Sequence, residues 1–217
     1  MQSVRARIAA AAEKAGRDPA SIRLVAVIKN VPLELVYEAL AAGVTDLGEN
    51  RVQEAAERHA AIRARFPQTA IHFIGHLQRN KVGQAVELFD IIQSVDSERL
   101  AAALDEKAGQ AGRTVPVLLE VNVSGEAGKY GVTVSAAESL IRSVSGLKNL
   151  KIKGLMTMAP IGNAGPTFQG LKSFRDSLHI PDVDLSVLSM GMSDDFEAAI
   201  AAGSNLVRIG RVIFQGG

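Results

Sequence analysis

Short apolar, β-branched runs alternate with longer stretches of helical periodicity along almost the whole chain. The runs are "IRLVAV" (22–27), "VTDLG" (44–48), "AIHFIG" (70–75), "DIIQSV" (90–95), "VPVLLEVNV" (115–123), "KIKGLMTM" (151–158), "DLSVLSM" (184–190) and "NLVRIG" (205–210). Runs of this length, bounded by polar and turn-forming residues, predict buried strands. Between them, stretches such as "PLELVYEALAAG", "RVQEAAERHAAIRARF", "SERLAAALDEKAGQAG" and "SDDFEAAIAAG" carry apolar residues at helical spacing and often finish on glycine, as helix C-termini prefer. The opening "MQSVRARIAAAAEKAGRD" reads as an amphipathic helix with no continuous apolar segment, unlike a secretory signal. Eight strands alternating with seven helices behind an N-terminal helix predict a parallel (β/α)8 barrel. An open doubly wound sheet shares the alternation. The count of eight and the lack of a glycine-rich dinucleotide fingerprint after the first strand favour the barrel. Without a linker, a repeat or a shift in composition, residues 1–217 read as one domain.

In such a barrel, chemistry sits just past the C-terminal ends of the strands. There the chain places Lys29 and Asn30, "GEN" (48–50), "GHLQRNK" (75–81), "SVDS" (94–97), "NVSGE" (122–126), "MTMAP" (156–160), "SMGMS" (189–193) and "RIG" (208–210). Lys29 ends an apolar strand. Either its head simply escapes to water, or it is held in an apolar pocket, where burial lowers a lysine's pKa and makes the amine nucleophilic. Ser189, Gly191 and Ser193 precede a helical stretch that Ser193 can cap. A capped helix accounts for them, and so does a phosphate cradle. Arg208, inside an apolar strand, needs either a salt bridge across the barrel mouth or a ligand. Gly210 lets the backbone approach a phosphate closely. A lysine opposite a phosphate site suggests Schiff-base chemistry with a carbonyl substrate, as in an aldolase, or with pyridoxal 5'-phosphate (PLP).

Composition narrows the classes. The 217 residues carry 24 Lys plus Arg against 23 Asp plus Glu, a formal net charge of +1. With aromatics at 4% and no basic run, stacking platforms for nucleic acid are not expected. No apolar stretch approaches the roughly 20 residues of a membrane span. The absence of cysteine removes disulfides, thiolate nucleophiles and cysteine metal sites. The expected location is the cytoplasm. His72 and His76 straddle a strand and a turn and lack further ligands nearby, so no metal site is expected. His72 reads as a core or supporting residue, His76 as a rim residue, and His59 and His179 as peripheral. Glu49 and Asp96 read as structural hydrogen-bonding residues at strand ends rather than acids or bases.

Taken together, "GENRVQE", "HFIGHLQRNK", "SVDS", "VNVSGE", "GLMTM", "LSMGMSDDFEAAI" and "VRIGRVIF" resemble, in order and over nearly the whole chain, the pyridoxal phosphate homeostasis proteins. The resemblance implies a barrel of the alanine racemase N-terminal type and a PLP aldimine on Lys29. It implies that Arg208 faces the pyridine nitrogen and keeps it largely unprotonated, which makes the cofactor a poor electron sink. It also implies that Ser189, Ser193 and Gly210 hold the phosphate, that Asn50 lines the cofactor and that Met156 packs near its ring. The chain departs from the family at Ile28, where serine is usual, at "NVP" after the lysine, at "KYGV" (129–132) and at "IFQGG" near the end.

The implied function is a non-catalytic PLP binder in vitamin B6 and amino-acid balance, a monomer with apo-PLP enzymes as recipients. The alternative is a weakly active amino-acid racemase, for which Tyr130 is the candidate second base. A PLP-free aldolase and a purely structural protein fit the motifs less well.

Overall fold

The computed structural model describes residues 1–53 and 55–214. Glu54, which closes "GENRVQE", and the "QGG" end at 215–217 lie outside the described residues. Helix α1 (Gln2–Lys14) leads into β1 (Arg23–Val27) and α2 (Leu33–Ala41), then β2 (Asp46–Glu49) and α3 (Ala55–Arg65). Next come β3 (Ala70–Phe73), α4 (Val82–Leu88), β4 (Ile91–Val95), α5 (Glu98–Gln110), β5 (Val115–Asn122), β6 (Val132–Thr133) and α6 (Val134–Ser145). The chain continues through β7 (Leu150–Met156), α7 (Ala164–Ser177), β8 (Val187–Ser189), α8 (Phe196–Ala201), β9 (Leu206–Ile209) and α9 (Arg211–Phe214).

Eight strands pair in parallel in the order β4-β3-β2-β1-β9-β8-β7-β5, and a β4–β5 pairing closes the ring. This is the predicted (β/α)8 barrel with its N-terminal helix. Two elements lie outside the sequence pattern. Strand β6 is only two residues, laid on β5 with Val121 opposite Val132, too short to show a period. Helix α9 is a single turn after the last strand.

Strand alternation sorts the side chains. Ala26, Leu47, Ile71, Phe73, Ile92, Val117, Leu119, Val121, Leu155 and Leu188 face the surrounding helices and form the main core with them. The residues between them point into the barrel, and many are polar: Asp46, His72, Gln93, Glu120, Ser189 and Arg208 are all buried. Helix α1 lays Val4, Ile8 and Ala12 against Phe196 and Ile200 of α8 and Val207 and Ile209 of β9, in a second apolar cluster. Arg17 fastens that contact by donating to the carbonyls of Ile200 (2.9 Å) and Ser204 (2.6 Å).

His59 corrects the sequence reading. It is not peripheral but buried on α3, edge-on to Phe89 at 5.1 Å, with Nδ1 3.3 Å from the Leu88 carbonyl. Burial drives its pKa down to about 4. His179 is exposed.

The register between β5 and β7 slips between Val117 and Leu118, and Gly154 sits at that slip with φ +154°, where a Cβ would stand 1.9 Å from the Val187 carbonyl oxygen. Neither the backbone nor β8 can yield easily. Gly154→Ala is therefore expected to destabilise the fold by about 3 kcal/mol or more, read as a drop in the urea midpoint at an unchanged slope.

Candidate functional site

The C-terminal mouth of the barrel is built on adjacent strands. Val25 of β1 pairs with Arg208 of β9, Met156 of β7 with Ser189 of β8, and Glu120 of β5 with Met156. Glu120, Met156, Ser189 and Arg208 thus form a contiguous buried floor.

Lys29 stands above that floor at the lip. Strand β1 stops at Val27, Ile28 buries its side chain in the helix-side core, and Lys29 follows in a turn, exposed to solvent. The amine held in an apolar wall is not what forms. Asn30 adopts φ +58°, a left-handed conformation that asparagine tolerates better than most residues. The turn is tied down from α3: Arg58 donates to the carbonyls of Ile28 (3.0 Å) and Val31 and pairs with Glu49 at 3.2 Å. Lys29 and Gly210 line one cleft of about 320 Å³ together with Val27, Pro32, Leu35 and Phe214, a size suited to a small molecule. A Cβ at position 210 would meet the Val27 carbonyl at 3.0 Å, so only glycine keeps that wall open without displacement. A larger cleft of about 820 Å³, lined by Arg5, Arg23 and Asp46 among others, opens at the starts of the strands, away from Lys29.

Arg208 is 3% exposed. Its Nη1 donates to the Ser189 carbonyl (2.8 Å) and hydroxyl (2.7 Å), and Nη2 to the Thr157 carbonyl (3.1 Å). Of the five guanidinium N–H groups, Nε–H and one on Nη2 take no protein partner among the described residues. Burial lowers its pKa to about 10, opposed by the charges of Glu120 and Asp195, so it stays protonated. The carboxyl of Glu120, a residue 3% exposed, makes no hydrogen bond among the described residues. Burial pushes its carboxyl up to about 7, with Arg208 opposing the rise and Asp96 adding to it.

The predicted phosphate residues divide. Ser193 is buried, and its hydroxyl and backbone N–H find no partner among the described residues. Ser189 is wholly buried, and its hydroxyl is committed to Gln93 and Arg208, so its place is beside the guanidinium. Ser193 does not cap α8. The cap position is Asp195, whose carboxylate accepts from the Met192 N–H at 2.6 Å. The helix itself is one and a half turns rather than the longer stretch the sequence suggested. Gly191 at φ +97° lets the loop pass Ala199, which a Cβ would approach to 2.5 Å. Outside the loop Arg211 pairs with Asp194, both exposed.

Asn50 is half-buried at the top of β2, its carbonyl pressed against Gly75, where a Cβ would come within 2.3 Å. Met156 is wholly buried in the floor. Tyr130, 52% exposed, stacks on His76 with ring centroids 3.9 Å apart, and His76 Nδ1 lies 4.0 Å from Asp96. Sequence reasoning passed over Gln93, Glu120 and Arg58. Glu120 alone left a signal, a charged residue inside "VLLEV". Among the described residues no three His, Asp or Glu gather as a metal site, and no helix is long and apolar enough to cross a membrane.

Comparison with known proteins shows the family and the fold. The family described as alanine racemase, N-terminal domain, matches residues 1–216. The pyridoxal phosphate homeostasis protein of Pseudomonas aeruginosa is 42% identical over 212 residues, covering 97% of this chain and 91% of that one. Among solved structures, an unknown protein from Bifidobacterium adolescentis superposes with a TM-score of 0.93 at 36% identity, covering 98% and 92% of the two chains. PipY of Synechococcus elongatus with PLP bound gives a TM-score of 0.83 at 37% identity over 95% and 99%.

The Glu120 carboxyl yields a test of the floor's electrostatics. Its pKa is about 7 folded against 4.5 ordinarily. Between those values the folded protein holds more protons than the unfolded chain, so stability falls as pH rises and the full cost is present above pH 7. Glu120→Gln is expected to gain on the ligand-free wild type from pH 5 to pH 8 by up to about 3 kcal/mol, measured by urea unfolding at both pH values.

Proposed function

Because the chain belongs to the family of pyridoxal phosphate homeostasis proteins, within the alanine racemase N-terminal domain family, we propose that its barrel mouth takes up PLP and holds it without catalysing turnover. The observation that carries this reading is the exposed Lys29 amine at the lip of a cleft of about 320 Å³, beside Gly210 and two residues past the strand that pairs with that of Arg208, a buried guanidinium with two donors unpartnered among the described residues.

The residues present suit that ligand. PLP supplies an aldehyde whose carbon forms a C=N bond with an amine, the oxygen leaving as water. Lys29 provides the amine, and Arg58 fixes its turn without restricting the side chain. Arg208 points permanent donors at the ring nitrogen and, at a pKa of about 10, gives up no proton near neutrality. The Ser193 hydroxyl and N–H, with the bare Gly210 backbone, hold the phosphate. Ser189 contributes through Arg208 rather than by touching the phosphate. Asn50 lines the ring edge, and Met156 packs beneath it. The curated relatives are named homeostasis proteins rather than enzymes, and the racemase reading is not favoured. The protein is proposed to work in the cytoplasm as a monomer, passing PLP to apo-enzymes that need it.

The purified protein is expected to show a visible absorption band that borohydride abolishes, and Lys29→Ala to lack it. Amino-acid racemisation by the loaded protein is expected to stay at the level of free PLP. A colourless wild type that remains so after PLP is added would refute the reading.

A further inference from the structure

A continuous buried hydrogen-bond chain crosses the barrel interior. Arg208 Nη1 donates to Ser189 Oγ at 2.7 Å, and Ser189 Oγ donates to Gln93 Oε1 at 2.6 Å. Gln93 Nε2 then lies 2.7 Å from His72 Nδ1, and His72 Nε2 3.0 Å from Asp46 Oδ1. Asp46 also accepts from the Thr45 hydroxyl at 2.6 Å and lies 3.7 Å from Arg23 at the opposite mouth. Ser189, Gln93 and His72 are wholly buried, and Arg208 and Asp46 nearly so.

With the Gln93 amide oxygen turned to Ser189, the protons of the chain fall in one order. A guanidinium only donates and an ionised carboxylate only accepts. Burial alone would raise Asp46, but hydrogen bonds from His72 and Thr45 and the nearby Arg23 charge outweigh it and hold the carboxyl below its ordinary value. Ser189 must therefore pass its hydroxyl proton to Gln93. As the amide stands, its oxygen accepts and its nitrogen donates, which leaves the His72 proton on Nε2. All four links then point the same way, from Arg208 to Asp46, and such aligned chains polarise one another in a low-dielectric interior. Three of the five members lie on strands β2, β3 and β4, on the side of the ring that Arg208 does not touch directly.

We propose that Asp46, His72 and Gln93 are positioning residues for the ligand site: acting through Ser189, they fix the roll of the Arg208 guanidinium and so decide which of its N–H groups face the ring nitrogen. This rests on the reading of Arg208 as the ring-facing group. Cutting the chain at Gln93 leaves Ser189 free to turn its hydroxyl, and Arg208 loses a fixed acceptor on the Nη1 side.

The test has two arms. In the ligand-free protein, 15N NMR of the histidines should find His72 neutral with its proton on Nε2; a proton on Nδ1 would overturn the chain whatever the protein binds. In the PLP-loaded protein, Gln93→Leu should weaken PLP roughly fivefold and move the pH midpoint of its visible band by about half a unit or more. Ser94→Ala, one residue along the same strand, where the buried hydroxyl has no partner among the described residues, should change neither. A folded Gln93→Leu with wild-type midpoint and affinity would sink the proposal. Should that variant fail to fold, Gln93→Met, closer to glutamine in length and shape, removes the same acceptor and donor; wild-type midpoint and affinity there would count equally against it. A wild type that takes up no PLP would defeat the functional reading, and the NMR arm would still decide the chain.

Discussion

The burial of one guanidinium shapes the rest of the molecule. Taking Arg208 out of water carries a penalty of several kcal/mol that only well-placed acceptors and opposite charge offset. The barrel meets it with two backbone carbonyls and the Ser189 hydroxyl on one side, and with the nearby carboxylates of Glu120 and Asp195. Interior positions that a barrel ordinarily fills with branched apolar residues are here His72, Gln93 and Ser189. The burden is shared: Glu120 is forced up by the same dry interior, and the floor stays charged at its centre because Arg208 cannot readily shed its proton.

Above this fixed floor the reactive group is left free. The main chain around Lys29 is held on both flanks, Ile28 by its burial in the core and Val31 by Arg58, while the amine itself reaches solvent. The buried Ile28 adds apolar contact that anchors the turn. In the proposed reading, buried donors below and an exposed amine above divide recognition from capture.

Much of the fold was legible because strand and helix periods survive in a barrel whose outer strand faces are uniformly apolar. Leu47, Ile71, Ile92 and Leu188 announce their strands whatever lies between them. Lys29, Arg208 and Gly210 were legible for a related reason, since each breaks or ends an apolar run. The interior chain was not. Gln93 in "IIQSV" reads as the polar face of an ordinary strand, and only closure of the ring brings it to Ser189, 96 residues away. Arg58 left no signal, because nothing local to α3 records the carbonyls of the β1 turn. Ser189 and Ser193, four apart in one motif, read as equivalent hydroxyls. The end of β8 separates them, sending one into the barrel and the other to the rim. His59 was misread as peripheral because α3 is too rich in alanine and charge to mark which face packs on Phe89.

Proton traffic argues for holding over turnover. Racemisation needs a base on each face of the substrate carbon, positioned within hydrogen-bond reach. Lys29 can serve one face. Tyr130 is occupied in a stack with His76 in the loop before β6, with half of its surface in water, an arrangement that does not pin a phenol over the cleft. In the proposed reading the ring-facing donor is Arg208, which would stabilise a bound pyridine without protonating it and so withhold the electron sink that carbanion chemistry requires. The carboxyl nearest the floor, Glu120, is buried beside Arg208 rather than at the lip where a substrate proton would be exchanged. On that reading a site with an exposed nucleophile, a ring partner that keeps its proton and, among the described residues, no second base fixed opposite is suited to capturing an aldehyde reversibly rather than to turning it over.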